Sequence, residues 1–139
     1  MAILLLGSVE TIFNISEREF MTLVDFAFSE LKLPERVSIF FEFEHIEEIE
    51  NFYGFTHTED CGDNEYHIVI SPRITDWSEV AKTVFHEMEH IRQDVHKDRF
   101  GDTWKGVYYD REVVSYHALP WEVAAYRKEE ELYLKYLMD

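Results

Sequence analysis

The stretch "DWSEVAKTVFHEMEHIRQDVHK", residues 76–97, places apolar side chains three or four positions apart at Val80, Val84, Met88, Ile91 and Val95. An α-helix turns by about 100° per residue, so these side chains form one stripe able to pack on a core. Asp76 and Glu79 stand in N-cap and N3 spacing, and nothing from Asp94 to Lys97 breaks the pattern. The spacing predicts a helix from about Trp77 to Lys97. His86 and His90 lie one turn apart and nearly opposite the apolar stripe, so two ring nitrogens can meet one ion. Glu87 falls beside His90, where a carboxylate can accept a proton from an activated water. Glu89, Arg92, Asp94 and Lys97 read as solvated positions.

Outward from this helix, the chain before it mixes helix and strand. "SEREFMTLVDFAFSELKLP" opens with Ser16 and Glu19 in capping-box spacing and carries Phe20, Leu23, Val24, Ala27 and Leu31 at helical intervals. This predicts the first helix, stopping before Pro34. "RVSIFFEFEHI" alternates Val37, Ile39, Phe41 and Phe43 on one face, and "EYHIVIS" follows the turn signal "CGDN", so both read as strands. "NFYGFTHTED" between them is a further strand candidate, and "MAILLLG" reads as a buried strand. After the histidine helix comes a Gly-, Trp- and Tyr-rich loop, "FGDTWKGVYYDREVVSYHA". "LPWEVAAYRKEEELYLKYLMD" then predicts a last helix with Pro120 at or near its first position. The order implies a single α+β domain over 1–139, with an N-terminal helix and a small antiparallel or mixed sheet ahead of two long helices.

Composition narrows the function classes. The 139 residues carry 13 Lys+Arg against 29 Asp+Glu, a formal net charge of −16, so the average surface repels phosphate backbones and anionic lipid headgroups. Neither nucleic acid nor a membrane is expected as partner. The apolar run in "MAILLLG" has no basic region before it and no cleavage signal after it, and no segment approaches a membrane-spanning length. With one cysteine, Cys61, no intrachain disulfide can form. A cytoplasmic protein is the expectation, and the sequon Asn14-Ile15-Ser16 then reads as chance.

His86 and His90 need a third ligand, and two residues compete for the place. His96 gives "HEMEHIRQDVH", the H-E-x-x-H-x-x-G-x-x-H spacing with Gln93 in place of the glycine. That glycine permits the turn that brings the last histidine round to the metal, whereas Gln93 is a good helix former. A continuing helix points His96 away from the ion. Glu122 is the other candidate. On the last helix it shares the inward face with Trp121, Ala125, Tyr126, Leu132, Tyr133 and Tyr136, where a carboxylate is costly unless it meets a cation or donors. Glu129, two turns on, lies on the same face as a supporting or rim residue. A first-turn glutamate is also favoured by the helix dipole alone. Two histidines and a carboxylate form a ligand set suited to Zn2+.

With "HEMEHIRQ", "WKGVYY" and "YHALPWEVAAY", the chain resembles the small zincin-like metallopeptidases of the gluzincin type, minimal single-domain proteins often found in phages and mobile elements. The resemblance covers mainly residues 77–128. It implies His86, His90 and Glu122 as zinc ligands, Glu87 as general base, and hydrolysis of amide bonds in a peptide or protein substrate. Oxyanion donors would come from Tyr116 or His117, with Tyr108 and Tyr109 as further candidates, while Trp104 and Trp121 read as core or pocket wall. Gln93 can bond a ligand histidine, line the cleft or simply face solvent. "EYHIVIS" is similar to the edge strand along which such enzymes bind an extended peptide.

Two other classes share these features. An rRNA-maturation-type endoribonuclease would use His86, His90 and His96 as its three histidines, but needs a basic surface. A zincin-like fold could also keep its metal and act as a non-catalytic binding protein, with its acidity as an interaction surface.

Overall fold

The structure is a computed structural model describing residues 2–43, 54–57 and 64–138. Among these the chain is α+β. A mixed sheet contains β1 (Ala2–Leu6), β2 (Ser38–Phe43), β3 (Gly54–His57) and β4 (Glu65–Ile70) in the order β1-β2-β4-β3. β1, β2 and β4 run parallel, and β3 joins β4 antiparallel at the edge. Helices α1 (Val9–Phe13) and α2 (Glu17–Glu30) cross from β1 to β2, while α3 (Trp77–Val95) and α4 (Pro120–Met138) follow the sheet.

The core forms where α2 and α3 meet one face of the sheet. Phe20, Leu23, Val24 and Ala27 of α2 are buried with Ile39 and Phe41 of β2, Ile68 and Ile70 of β4, and Val80, Val84, Met88 and Ile91 of α3. Phe20 meets Phe41 edge-on at 5.1 Å between ring centroids. The predicted apolar stripes of α2 and α3 are thus the buried ones, Val95 being only partly covered. The α2 cap is as expected, with Ser16 Oγ accepting from the Glu19 N–H at 3.0 Å. At α3, Asp76 caps Ser78 N at 2.9 Å rather than pairing with Glu79.

Several expectations are corrected. β1 is an edge strand covered on one face only: Ile3 and Leu5 pack inward, while Leu4 and Leu6 are 46% and 53% exposed. A one-turn helix, α1, precedes the helix expected to be first. Ser8 caps it, and Asn14 closes it in the left-handed region at φ 56°. Asn14 and Ser16 of the sequon therefore both serve as helix caps. "EYHIVIS" is not an edge strand, because β4 lies between β2 and β3, and Tyr66, Ile68, Val69 and Ile70 are all buried. Of the stretch "NFYGFTHTED", Gly54–His57 is strand, and its remaining residues lie outside the described ones, as do Cys61, Gly62 and Asp63 of the turn signal.

α3 ends two residues earlier than predicted. Lys97 adopts φ 62°, and Asp98 N–H returns to Gln93 O at 2.9 Å, a six-to-one closure that satisfies a terminal carbonyl without glycine. Beyond it, the expected loop contains a small antiparallel sheet of β5 (Arg99–Phe100), β6 (Thr103–Trp104) and β7 (Val107–Tyr108), then a 3-10 turn over Tyr116–Ala118. Gly101 (φ 61°) and Gly106 (φ 87°) supply left-handed positions in these tight reversals. This segment leads directly into α4.

Candidate metal centre

α4 starts with Pro120 where a missing N–H costs nothing, and Leu119 O receives the N–H groups of Glu122 and Val123 at 3.0 and 2.9 Å. Trp121 is fully buried beside it, with the Arg99 guanidinium 4.3 Å from its ring centroid and Tyr109 edge-on at 6.3 Å. This anchorage turns the first-turn Glu122 toward α3. One Glu122 oxygen, Oε1, lies 2.9 Å from His86 Nε2 and 3.1 Å from His90 Nε2. Glu122 and His86 are buried and His90 nearly so. One ligand atom from each of the three residues falls within 4.8 Å of the other two. His96 is not in this group; it is exposed and forms the C-cap of α3.

The surroundings orient each histidine. His86 Nδ1 lies 2.9 Å from Glu129 Oε1, so Glu122 and Glu129, two turns apart on α4, address the two nitrogens of one ring. His90 Nδ1 lies 3.0 Å from the side-chain oxygen of Gln93. The Tyr126 ring packs edge-on against His86 at 4.5 Å. Gln93 is wholly buried, so it does not face solvent, and its side chain bonds His90.

Burial opposes charge on His86, yet hydrogen bonds to Glu122 and Glu129, with Glu87 nearby, push its pKa up to about 10. His90 is displaced upward too: burial pulls it down, and the bond to Glu122 and the charge of Glu87 outweigh that. Burial alone would raise the Glu122 carboxyl, but the two histidines hold it well below the usual carboxylate range. Glu87 and Glu122 are both buried beside the two imidazoles, and buried carboxylates favour a cation as partner. The donor set of two imidazoles and one carboxylate fits a divalent ion such as zinc, with these residues as its protein ligands.

Glu87 is also buried. Its Oε1 accepts a hydrogen bond from Thr56 Oγ1 at 2.8 Å, and the same hydroxyl lies 3.2 Å from the Glu87 carbonyl oxygen. β3 can lie this close to both β4 and α3 because Gly54 has no side chain: a Cβ there would sit 2.8 Å from Val69 O of β4 and 3.0 Å from Thr83 Cγ2 of α3. Thr56 is a functional candidate the sequence did not disclose. The glycine inside a strand was the one local sign that a backbone comes close there.

Tyr116 is brought to the centre. Burial, the Glu122 charge and a hydrogen bond to Glu122 all drive its phenol far above the ordinary range, so it keeps its proton. His117 is exposed, its ring against Tyr116 at 5.3 Å and Tyr126 at 5.5 Å, one layer outside the ligands. Tyr108 is two-thirds exposed on β7, and Tyr109 packs on Trp121. Trp104 is half-buried in the small sheet, with Lys105 over its ring at 5.4 Å. Glu89 departs most from expectation. Predicted as solvated, it is 1% exposed and paired with Arg92, because α4 and the segment after α3 cover the helix face that periodicity left open. Arg92 is itself half-buried between Glu89 and Asp98.

No protein-family model matches the chain, and no curated protein or solved structure matches it either. No helix among the described residues is long and apolar enough to cross a membrane.

Proposed function

We propose that this protein is a zinc-dependent hydrolase of peptide bonds, a minimal zincin-like domain with a glutamate as third ligand. The observation that carries this is the convergence of both Nε2 atoms on one Glu122 oxygen, with the Glu87 carboxylate held on the same helix. His86, His90 and Glu122 would hold a zinc ion, which would supply Lewis acidity toward a carbonyl and an attacking water. Glu87 takes the proton of the attacking water and delivers it to the leaving amine. Thr56 occupies one Glu87 oxygen as hydrogen-bond donor and leaves the other for that transfer. Tyr116, whose phenol hydrogen-bonds Glu122, is the donor placed to turn to the developing oxyanion. An extended peptide would lie along β3, the strand at the sheet edge, in place of β4.

A cytoplasmic setting and a peptide or protein substrate belong to the same proposal. The endoribonuclease alternative would need His96 at the centre, and the exposed C-cap position of that residue offers it no support. The binding-protein alternative keeps the metal but needs no general base, so a carboxylate held by Thr56 favours the enzyme. The test is cleavage of a denatured-protein mixture by zinc-loaded wild type and Glu87→Gln. Zinc-dependent cleavage by wild type alone supports hydrolysis, and equal cleavage by both contradicts it.

A further inference from the structure

Gln93 occupies a position where an amide is hard to explain as packing. It is wholly buried, and leucine would fill a similar volume without a polar group to satisfy. Its polar atoms have partners on both helices. The side-chain oxygen meets His90 Nδ1 at 3.0 Å, while Nε2 donates to the Trp121 carbonyl at 3.0 Å and faces Glu89 Oε2 at 3.4 Å. Reversing the amide would set its oxygen against a carbonyl and a carboxylate, both acceptors, so its orientation follows from its neighbours. Glu89 is pinned by Arg92, which also bonds Asp98 at 3.1 Å. With the amide oxygen fixed toward His90, Nδ1 must carry the hydrogen. Nε2, which faces Glu122, is then the nitrogen left to bind a metal.

We infer that Gln93 is the positioning residue of the centre: it selects the nitrogen that His90 presents and, through the same amide, ties the Glu122 helix to the histidine helix. The inference rests on the proposed metal site and adds a property to it. Ligand orientation and docking of α4 on α3 share one side chain, so both change when it is replaced. The position is the one that the H-E-x-x-H-x-x-G-x-x-H pattern gives to glycine, which can make neither bond.

The experiment measures zinc affinity of the full chain by competition with a chromophoric chelator, for wild type, Gln93→Leu and Gln93→Glu. The His90 tautomer is read from ring nitrogen shifts in the zinc-loaded proteins. Gln93→Leu removes acceptor and donor together, and its zinc affinity is expected to fall roughly 10- to 100-fold, with loss of the single Nδ1–H tautomer. Gln93→Glu keeps the acceptor for His90 but turns a carboxylate toward Glu89 and Trp121 O. It should retain the wild-type tautomer while melting at a lower temperature when metal-free. Wild-type affinity in Gln93→Leu overturns the inference and leaves the centre standing, whereas absence of zinc binding in wild type removes the centre and the inference with it. Should Gln93→Leu not fold, loss of the single Nδ1–H tautomer in folded Gln93→Glu overturns the inference.

Discussion

Glu122 carries two burdens at the residue scale: it is buried, and it faces two imidazoles on another helix. Its neighbour in function, Glu87, is separable from it. Glu87→Gln keeps the shape of the side chain but removes the proton acceptor, so cleavage should fall by about 10²- to 10⁴-fold with zinc content unchanged, as metal analysis on the same sample would check. A parallel loss of metal would mean that Glu87 is a ligand and not the base. Thr56→Val removes the hydroxyl that steadies Glu87, whereas Thr56→Ser retains it. Turnover should drop in the first and recover in the second at constant zinc affinity; equal turnover in both would leave Thr56 without a role.

The elements show why some of this was legible and some was not. Helix periodicity is local, so the stripes of α2 and α3, the Ser16 cap, Pro120 at the start of α4 and the inward turn of Glu122 all followed from spacing. Gln93 kept α3 helical past the point where a glycine would have turned it, which left His96 outside the cluster. What covers the second face of α3 is set by distant residues. The burial of Glu89, the contact of Thr56 with Glu87 and the three short strands after α3 therefore had no local signature. The left-handed Lys97 that ends α3 carries no signal in its residue type. Two substitutions test the elements. Ser16→Ala should cost about 1 kcal/mol through the lost cap, read by denaturant unfolding at neutral pH. Gly54→Ala should destabilise by about 1–3 kcal/mol and lower turnover with it, since β3 must retreat from α3; an unchanged protein would show that the close approach is not needed.

At the scale of the whole molecule, the sheet supports α3 from one side and α4 closes it from the other, with the candidate centre at the α3–α4 contact. Trp121 anchors that contact beneath the Arg99 guanidinium. Trp121→Ala should destabilise the fold by about 3–5 kcal/mol and weaken zinc binding, because Glu122 is the next residue on the helix. A bound ion that recognises only the folded arrangement adds stability by mass action, about 4 kcal/mol when free zinc exceeds its Kd a thousandfold. The thermal midpoint should rise accordingly with zinc and fall again with chelator.

Whether His86, His90 and Glu122 form one metal site is decided by zinc stoichiometry in wild type, Glu122→Ala and His96→Ala. One tightly held zinc per chain is expected in wild type and in His96→Ala, with loss of tight binding in folded Glu122→Ala. Retention in Glu122→Ala with loss in His96→Ala would contradict that assignment.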